Sequence, residues 1–257
     1  MKMIISPAKK MERHEDILPY ESMPVFMKDA ENILHWMRQL SFAQAKELWG
    51  CNVAIAERNY TWMQAMDLKA NLTPAVLAFE GIQYQYMAPA VFEDTMLAYV
   101  QTHLRIVSGF YGVLKPMDGV VPYRLEMQAV ATVGDTRNLY EFWGSRLYHE
   151  VMDESRKLVN LASKEYSKCV ERYLTPEDTM ITCLFGELSE DGKKVIQKGT
   201  YAKMARGEMV RFMAEKRIED PVEIQKFNRL GYRFCPEFSG EKKYVFVRDS
   251  SKGWKGE

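Results

Sequence analysis

Short apolar runs ending at turn residues, separated by stretches of helical periodicity, limit this chain more than any other feature. Met3-Ile4-Ile5 is followed at once by Ser6-Pro7, and a proline lacks the donor a strand ladder needs, so the run reads as a short buried strand opening into a loop. Lys157–Leu161, Thr179–Phe185, Lys194–Gln197 and Tyr244–Val247 read as further strands, with hairpin turns at Gly192 and Gly240. Between them, Phe26, Met27, Ala30, Ile33, Leu34, Met37 and Leu40 recur at helical spacing, as do Ala205, Met209, Phe212 and Met213 within a helix over 202–216. Glu93–His103 predicts another helix, Val76–Phe79 predicts a strand, and Leu104–Val107 fits either a last helical turn or a strand. The fold class is therefore mixed α/β, a single compact domain over 1–257 with a frayed tail at 250–257.

The excluded classes follow from what the chain lacks. No apolar run approaches the roughly 20 residues needed to cross a bilayer, so no membrane role and a cytoplasmic location are expected. The four cysteines (Cys51, Cys169, Cys183, Cys235) form no C-x-x-C pair, and the histidines (His14, His35, His103, His149) show no metal-ligand spacing. Reduced, mostly buried thiols, no metal and no cofactor are the expectation. Thirty-five basic residues cancel thirty-five acidic ones, so any polyanion contact requires charge gathered locally.

Two segments gather it. Ser41 with Gln44 has the form of a capping box, and the helix it opens stops at Gly50 before a third helix running from Asn52 to about Met66. The turn Leu48-Trp49-Gly50-Cys51-Asn52, with Ala56 at the helix contact, is compatible with a helix-hairpin-helix element, in which backbone N–H groups at a helix start meet a phosphate. Asn52 stands where a second glycine is usual and either takes left-handed angles or caps the next helix, and Lys46 and Arg58 would flank the phosphate. An ordinary αα-corner with a glycine cap fits equally well. The other segment is 198–217, where Lys198, Lys203, Arg206, Arg211, Lys216 and Arg217 face only Glu208 and Glu215. Lys203 and Arg206 are three apart and project together.

The least ordinary stretch is Leu104–Met127, which holds three glycines, two prolines and the charged pair Arg124 and Glu126. Its S-G-F-Y-G-V-L-K-P-M-D and P-Y-R-L-E-M blocks resemble the YaaA family of peroxide-stress proteins. The resemblance continues through Ile5–Lys9, Ala78–Tyr84, Leu139–Gly144, Asn160–Tyr166, Tyr201–Gly207 and Gly231–Phe234. Near position 80 the family pattern is similar to F-x-G-D-V-Y, whereas Ile82-Gln83 stand here before Tyr84 and remove an acidic group. The resemblance implies an α/β unit of unusual topology with a positively charged cleft, binding of duplex or branched DNA through a helix-hairpin-helix element, and limitation of free intracellular iron during peroxide stress. A monomer is expected.

A chemical reading runs beside the DNA reading. Lys9, Tyr123, Arg124, Glu126, Asn160, Ser163, Tyr166, Tyr201, Lys203 and Arg206 all fall in the matching blocks and are the polar types that build a site for an anionic or base-like ligand. Lys9, at a strand end, is the candidate nucleophile or phosphate clamp, and Glu126 the candidate acid or base. Three functions follow: a DNA-binding protein without sequence-specific readout, an enzyme acting on a nucleotide, base or other phosphorylated ligand in the same cleft, and an iron-sequestering protein.

Overall fold

The computed structural model describes residues 1–14 and 18–248, so the tail expected to fray lies outside the described residues. Its centre is a sheet whose strands are β1 (Lys2–Ile5), β2 (Leu104–Ser108), β3 (Gly112–Leu114), β4 (Lys157–Leu161), β5 (Thr179–Leu188), β6 (Val195–Ile196), β7 (Tyr232–Phe234) and β8 (Lys243–Arg248). The spatial order is β7-β8-β5-β4-β1-β2-β3, with β6 pairing β5 as a hairpin around Gly192. Five central strands are parallel, and the edges β7 and β3 run antiparallel. A parallel sheet covered on both faces calls for nearly unbroken apolar strands. Met3, Ile4, Ile5, Leu104, Ile106, Val107, Leu158, Val159 and Leu161 are accordingly buried.

Seven helices concern the argument: α1 (Met27–Arg38), α2 (Phe42–Trp49), α3 (Val53–Ala65), α4 (Ile82–Met87), α5 (Asp94–His103), α6 (Lys164–Glu171) and α7 (Gly199–Lys216). The capping box at Ser41 forms in both directions, and Gly50 ends α2 at φ 52°, a left-handed angle that costs glycine nothing. Asn52 takes the second of its two options: at φ −69° it caps α3, its Oδ1 accepting from the Ile55 amide at 2.9 Å.

Two readings of the sequence are settled differently from a simple strand count. Ala75–Ala78 is one helical turn after Pro74, and only Phe79–Glu80 is extended, pairing with Lys10–Met11. Pro74 presets the turn, and four consecutive buried residues carry no alternation that would mark a strand. Leu104–Val107 is a strand: every residue of β2 is buried, and it pairs with β1 in the register Met3 to Leu104.

Helix α7 is the keystone for the site. It packs on α4, α5 and β5, and burial on more than one side explains its many small and apolar residues. At Gly207 the backbone of α4 comes so close that a Cβ would lie 2.0 Å from the Gln83 carbonyl oxygen. Only glycine allows that approach, which sets Arg206, the preceding residue, and Lys203, one turn earlier, in the same cleft wall as residues of α4.

The four cysteines are unpaired. Burial pushes the Cys169 and Cys183 thiols up to about 12, which leaves them protonated and inert.

Candidate functional site

In open parallel sheets, ligands bind where successive connections leave in opposite directions, outside the carboxyl ends of the strands. Here the chain leaves β1 for β2 on one side and later returns to β4 on the other. The loops after β1 and β4 open a cleft at that point, lined among others by Ser6, Lys9, Ser163, Glu165 and Tyr166. Its remaining walls are Glu80–Tyr84, Tyr123–Glu126, and Lys203 with Arg206 from α7. The volume is about 420 Å³, within the range of small-ligand sites.

Hydrogen bonds lock the two strand ends together. The Ser163 amide donates to Ser6 Oγ at 2.8 Å, the two hydroxyls lie 3.2 Å apart, and the Tyr84 hydroxyl donates to the Ser6 carbonyl at 3.0 Å. Tyr123 pairs with Ser108 through their hydroxyls at 2.6 Å and stacks on Phe110. Burial raises the pKa of Tyr84, Tyr123 and Tyr166, so all three stay neutral phenols in the lining of the cleft.

The charges are interleaved. Glu126 accepts from Lys9 at 2.9 Å and lies 3.4 Å from an Arg124 terminal nitrogen. Glu165 takes the Gln128 amide at 3.2 Å; burial, and beyond it the nearby Glu126 charge, lift its carboxyl above the ordinary range against the pull of Lys9 and the amides. Lys10 lies between Glu12 at 2.6 Å and Glu80 at 2.5 Å. Burial lowers the Arg206 guanidinium from its usual value, yet a guanidinium remains charged. Gln83 Nε2, Arg124 Nε and Arg206 Nε are buried without any protein partner.

Eight of the ten residues of the chemical reading thus meet: Lys9, Tyr123, Arg124, Glu126, Ser163, Tyr166, Lys203 and Arg206. Asn160 and Tyr201 are placed elsewhere. Asn160 lies buried in β4, donating to Thr182 Oγ1 at 3.2 Å and accepting from the Ala162 amide at 2.9 Å, a brace for the strand end. Tyr201 lies under the Arg248 guanidinium, 3.7 Å from carbon to ring centre, next to the Glu187 ion pairs. Sequence reasoning did not single out Ser6, Glu80, Gln83, Tyr84 or Glu165 as site residues, although all five stand inside the matching blocks; Gly81, directly before a helix, was the one local signal for Glu80, Gln83 and Tyr84.

The cationic segment 198–217 divides. Lys203 and Arg206 enter the cleft, whereas Lys198 pairs with Glu187 at 2.6 Å and Arg211 with Glu215 at 2.9 Å. At the α2–α3 corner, Gly50 and Asn52 shape the turn, Arg58 is exposed and rests on Trp62 at 5.1 Å, and Lys46 is partly buried on α2.

One set of metal-type side chains is brought together that spacing could not reveal, because Glu80 arrives from a distant segment. Ligand atoms of Glu12, His14 and Glu80 lie within 4.8 Å of one another. The Lys10 ammonium already supplies the counter-charge there. Among the described residues no helix is long and apolar enough to cross a membrane.

Comparison with known proteins places the chain in a wide group. The family model described as Peroxide stress protein YaaA matches residues 1–238. A UPF0246 protein of Agathobacter rectalis is 58% identical over 248 residues, covering 96% of this chain and 99% of that protein. UPF0246 proteins of Lachnoclostridium phytofermentans and Desulfitobacterium hafniense are 52% and 51% identical, over 98% and 96% of this chain and 98% of each relative.

Proposed function

Because this chain belongs to the YaaA family of peroxide stress proteins, we propose that it acts in peroxide defence on DNA or its components, holding one nucleotide unit in the cleft between the ends of β1 and β4. The observation that supports this reading is the convergence of Lys9, Arg124, Lys203 and Arg206 with Tyr84, Tyr123 and Tyr166 on one small-ligand volume. Cations meet a phosphate, and neutral aromatic walls suit a base. A cleft of this size excludes a duplex but admits a nucleotide that is free or displaced from a strand. Where the ligand belongs to DNA, the backbone phosphate contact falls to the α2–α3 corner, with Lys46, Gly50, Asn52 and Arg58, and to cations of α7 such as Arg211. Limitation of free iron then follows indirectly, without a resident metal.

The enzyme reading shares the cleft and is favoured by its carboxylates. Glu126 is held by two cations, while Glu165 is pushed toward its neutral form, and a pair of carboxyls with opposed environments is the usual basis for acid and base roles.

Binding of fluorescent single-stranded, duplex and four-way junction DNA across a salt series tests the proposal. Affinity should fall with a logarithmic salt slope of roughly −0.9 per duplex phosphate neutralised. Lys203→Ala with Arg206→Ala should weaken binding alike for unrelated sequences and flatten the slope by up to about two units. Gly50→Val, which forces a β-branched residue to φ 52°, should weaken binding with the slope unchanged. Salt-independent binding, or parent-like binding by both variants, removes DNA as the ligand. Turnover of a nucleotide or nucleoside that is lost in Glu126→Gln favours the enzyme.

A further inference from the structure

Three hydrogen-bond donors are stranded in the wall of the cleft. Gln83 Nε2, Arg124 Nε and Arg206 Nε have no protein partner, and Gln83 is only 7% exposed. They come from three separate parts of the chain, namely α4, the segment 121–127 and α7, and all three side chains line the same volume. A buried donor without an acceptor is costly, and three on side chains that line one cleft favour an acceptor-rich group there. Lys203 stands exposed at the rim. Across the cleft, Glu126 lies against Lys9 and the terminal nitrogen of Arg124, leaving the Arg124 Nε free.

We propose that Gln83, Arg124 and Arg206 form a phosphate subsite, and that Glu126 is its internal competitor, holding Lys9 and Arg124 until a phosphate takes them. The inference rests on the nucleotide reading above and names the end of the ligand that is gripped. Donors from three segments suit the three terminal oxygens of a phosphate monoester better than the two coplanar oxygens of a carboxylate. Glu126 has a definite sign in this arrangement. With the cleft free it neutralises two neighbouring cations; with a dianion bound, it is a like charge beside the phosphate and lowers affinity. A ligand contact at the same position would act in the opposite sense, and an acid or base would be read in turnover instead.

The test is calorimetric titration of the full chain and its Glu126→Gln, Gln83→Met and Lys203→Ala variants with the four nucleosides, their 5′-monophosphates and inorganic phosphate. Short oligonucleotides with and without a 5′-phosphate separate a monoester from a strand phosphodiester. Monophosphates should bind about tenfold or more tighter than nucleosides. Glu126→Gln should tighten monophosphate binding about threefold to tenfold, the scale of one partly screened charge pair at either end. Gln83→Met should weaken it by a similar factor and leave nucleosides unaffected. Equal affinity for nucleosides and monophosphates overturns the subsite and spares the nucleotide reading. Weaker monophosphate binding by Glu126→Gln overturns the competitor role. If no nucleoside or nucleotide binds, the nucleotide reading falls, and inorganic phosphate decides the subsite separately: no binding at millimolar phosphate by the parent or by Glu126→Gln overturns it. Should Gln83→Met fail to fold, Glu126→Gln carries the test of sign, because its side chain is partly exposed and keeps its shape.

Discussion

Substituting Gly207 by alanine tests the link between fold and site. The added Cβ would stand 2.0 Å from the Gln83 carbonyl oxygen and 2.9 Å from the Met87 amide nitrogen, and real Cβ contacts do not fall below 3.0 Å. Both obstacles are backbone, so no side-chain rotation relieves them, and α4 and α7 must separate by at least about 1 Å on this geometry. Overpacking of this kind costs about 1–3 kcal/mol, and rigid backbone on both sides puts Gly207→Ala near the upper end. Removing a helix-interior glycine returns about 1 kcal/mol. The net loss is about 2 kcal/mol, or a drop in Tm of roughly 4–8 °C for a chain of this size. Gly199→Ala is the control, since a Cβ there meets nothing within 4 Å, and it should leave Tm unchanged or raised. Thermal unfolding followed by circular dichroism reads both variants, and titration with a 5′-mononucleotide should show a loss of affinity in Gly207→Ala alone, because α7 carries Lys203 and Arg206. A Gly207→Ala protein as stable as Gly199→Ala would refute the close packing of α4 on α7, and with it the reason given for where these two cations sit.

Three further outcomes follow from the same geometry. Lys10→Met removes the ammonium between Glu12 and Glu80, so elemental analysis after zinc dialysis should find bound metal in the variant and none at stoichiometric level in the parent; equal contents would show that Lys10 does not fill that position. Glu165 has a folded pKa above its unfolded one, so its contribution favours the fold at low pH and is lost as pH rises through the folded value. Glu165→Gln keeps an oxygen for the Gln128 amide and should raise Tm at neutral pH, with the gain vanishing below about pH 4; a gain that is constant with pH contradicts the cause assigned. Asn160→Ala should lower stability by about 1–3 kcal/mol by unsatisfying the Ala162 amide and the Thr182 hydroxyl, with mononucleotide affinity unchanged if the fold is retained; normal stability with lost affinity would return Asn160 to the cleft.

The elements with strong local chemistry were legible in the sequence. The Ser41 capping box, the Gly50 stop and the β1 strand ending at Ser6-Pro7 each depend on residues a few positions apart, and all three form as read. Ala75–Ala78 was not legible, because a short buried apolar run looks the same whether it turns once as a helix or extends. The cationic segment 198–217 shows the same limit in electrostatics. Counting charge along the chain finds an excess, but Glu187, which neutralises Lys198, lies on β5, and Arg206 is buried in the cleft wall it shares with residues of α4.

The site was legible as a set of residue types and illegible as a geometry, and sheet order accounts for the difference. Ile5 and Leu161 are separated by most of the first two thirds of the chain, yet they are register partners in adjacent parallel strands, so Ser6 and Ser163 must emerge side by side. That adjacency depends on β4 joining the sheet on the side of β1 opposite to β2, a choice fixed by long-range pairing. Once it is made, the placement of Lys9 and Glu165 is largely dictated: each follows its strand end within a few residues. Arg124 and Glu126 are brought over them by the return path from β3, and Lys203 with Arg206 by the glycine contact of α7 on α4. The cleft is thus assembled by three independent tertiary decisions. Gln83, whose carbonyl meets Gly207, belongs to the site through the last of these, and its unpaired donor joins those of Arg124 and Arg206 on side chains that line the same volume.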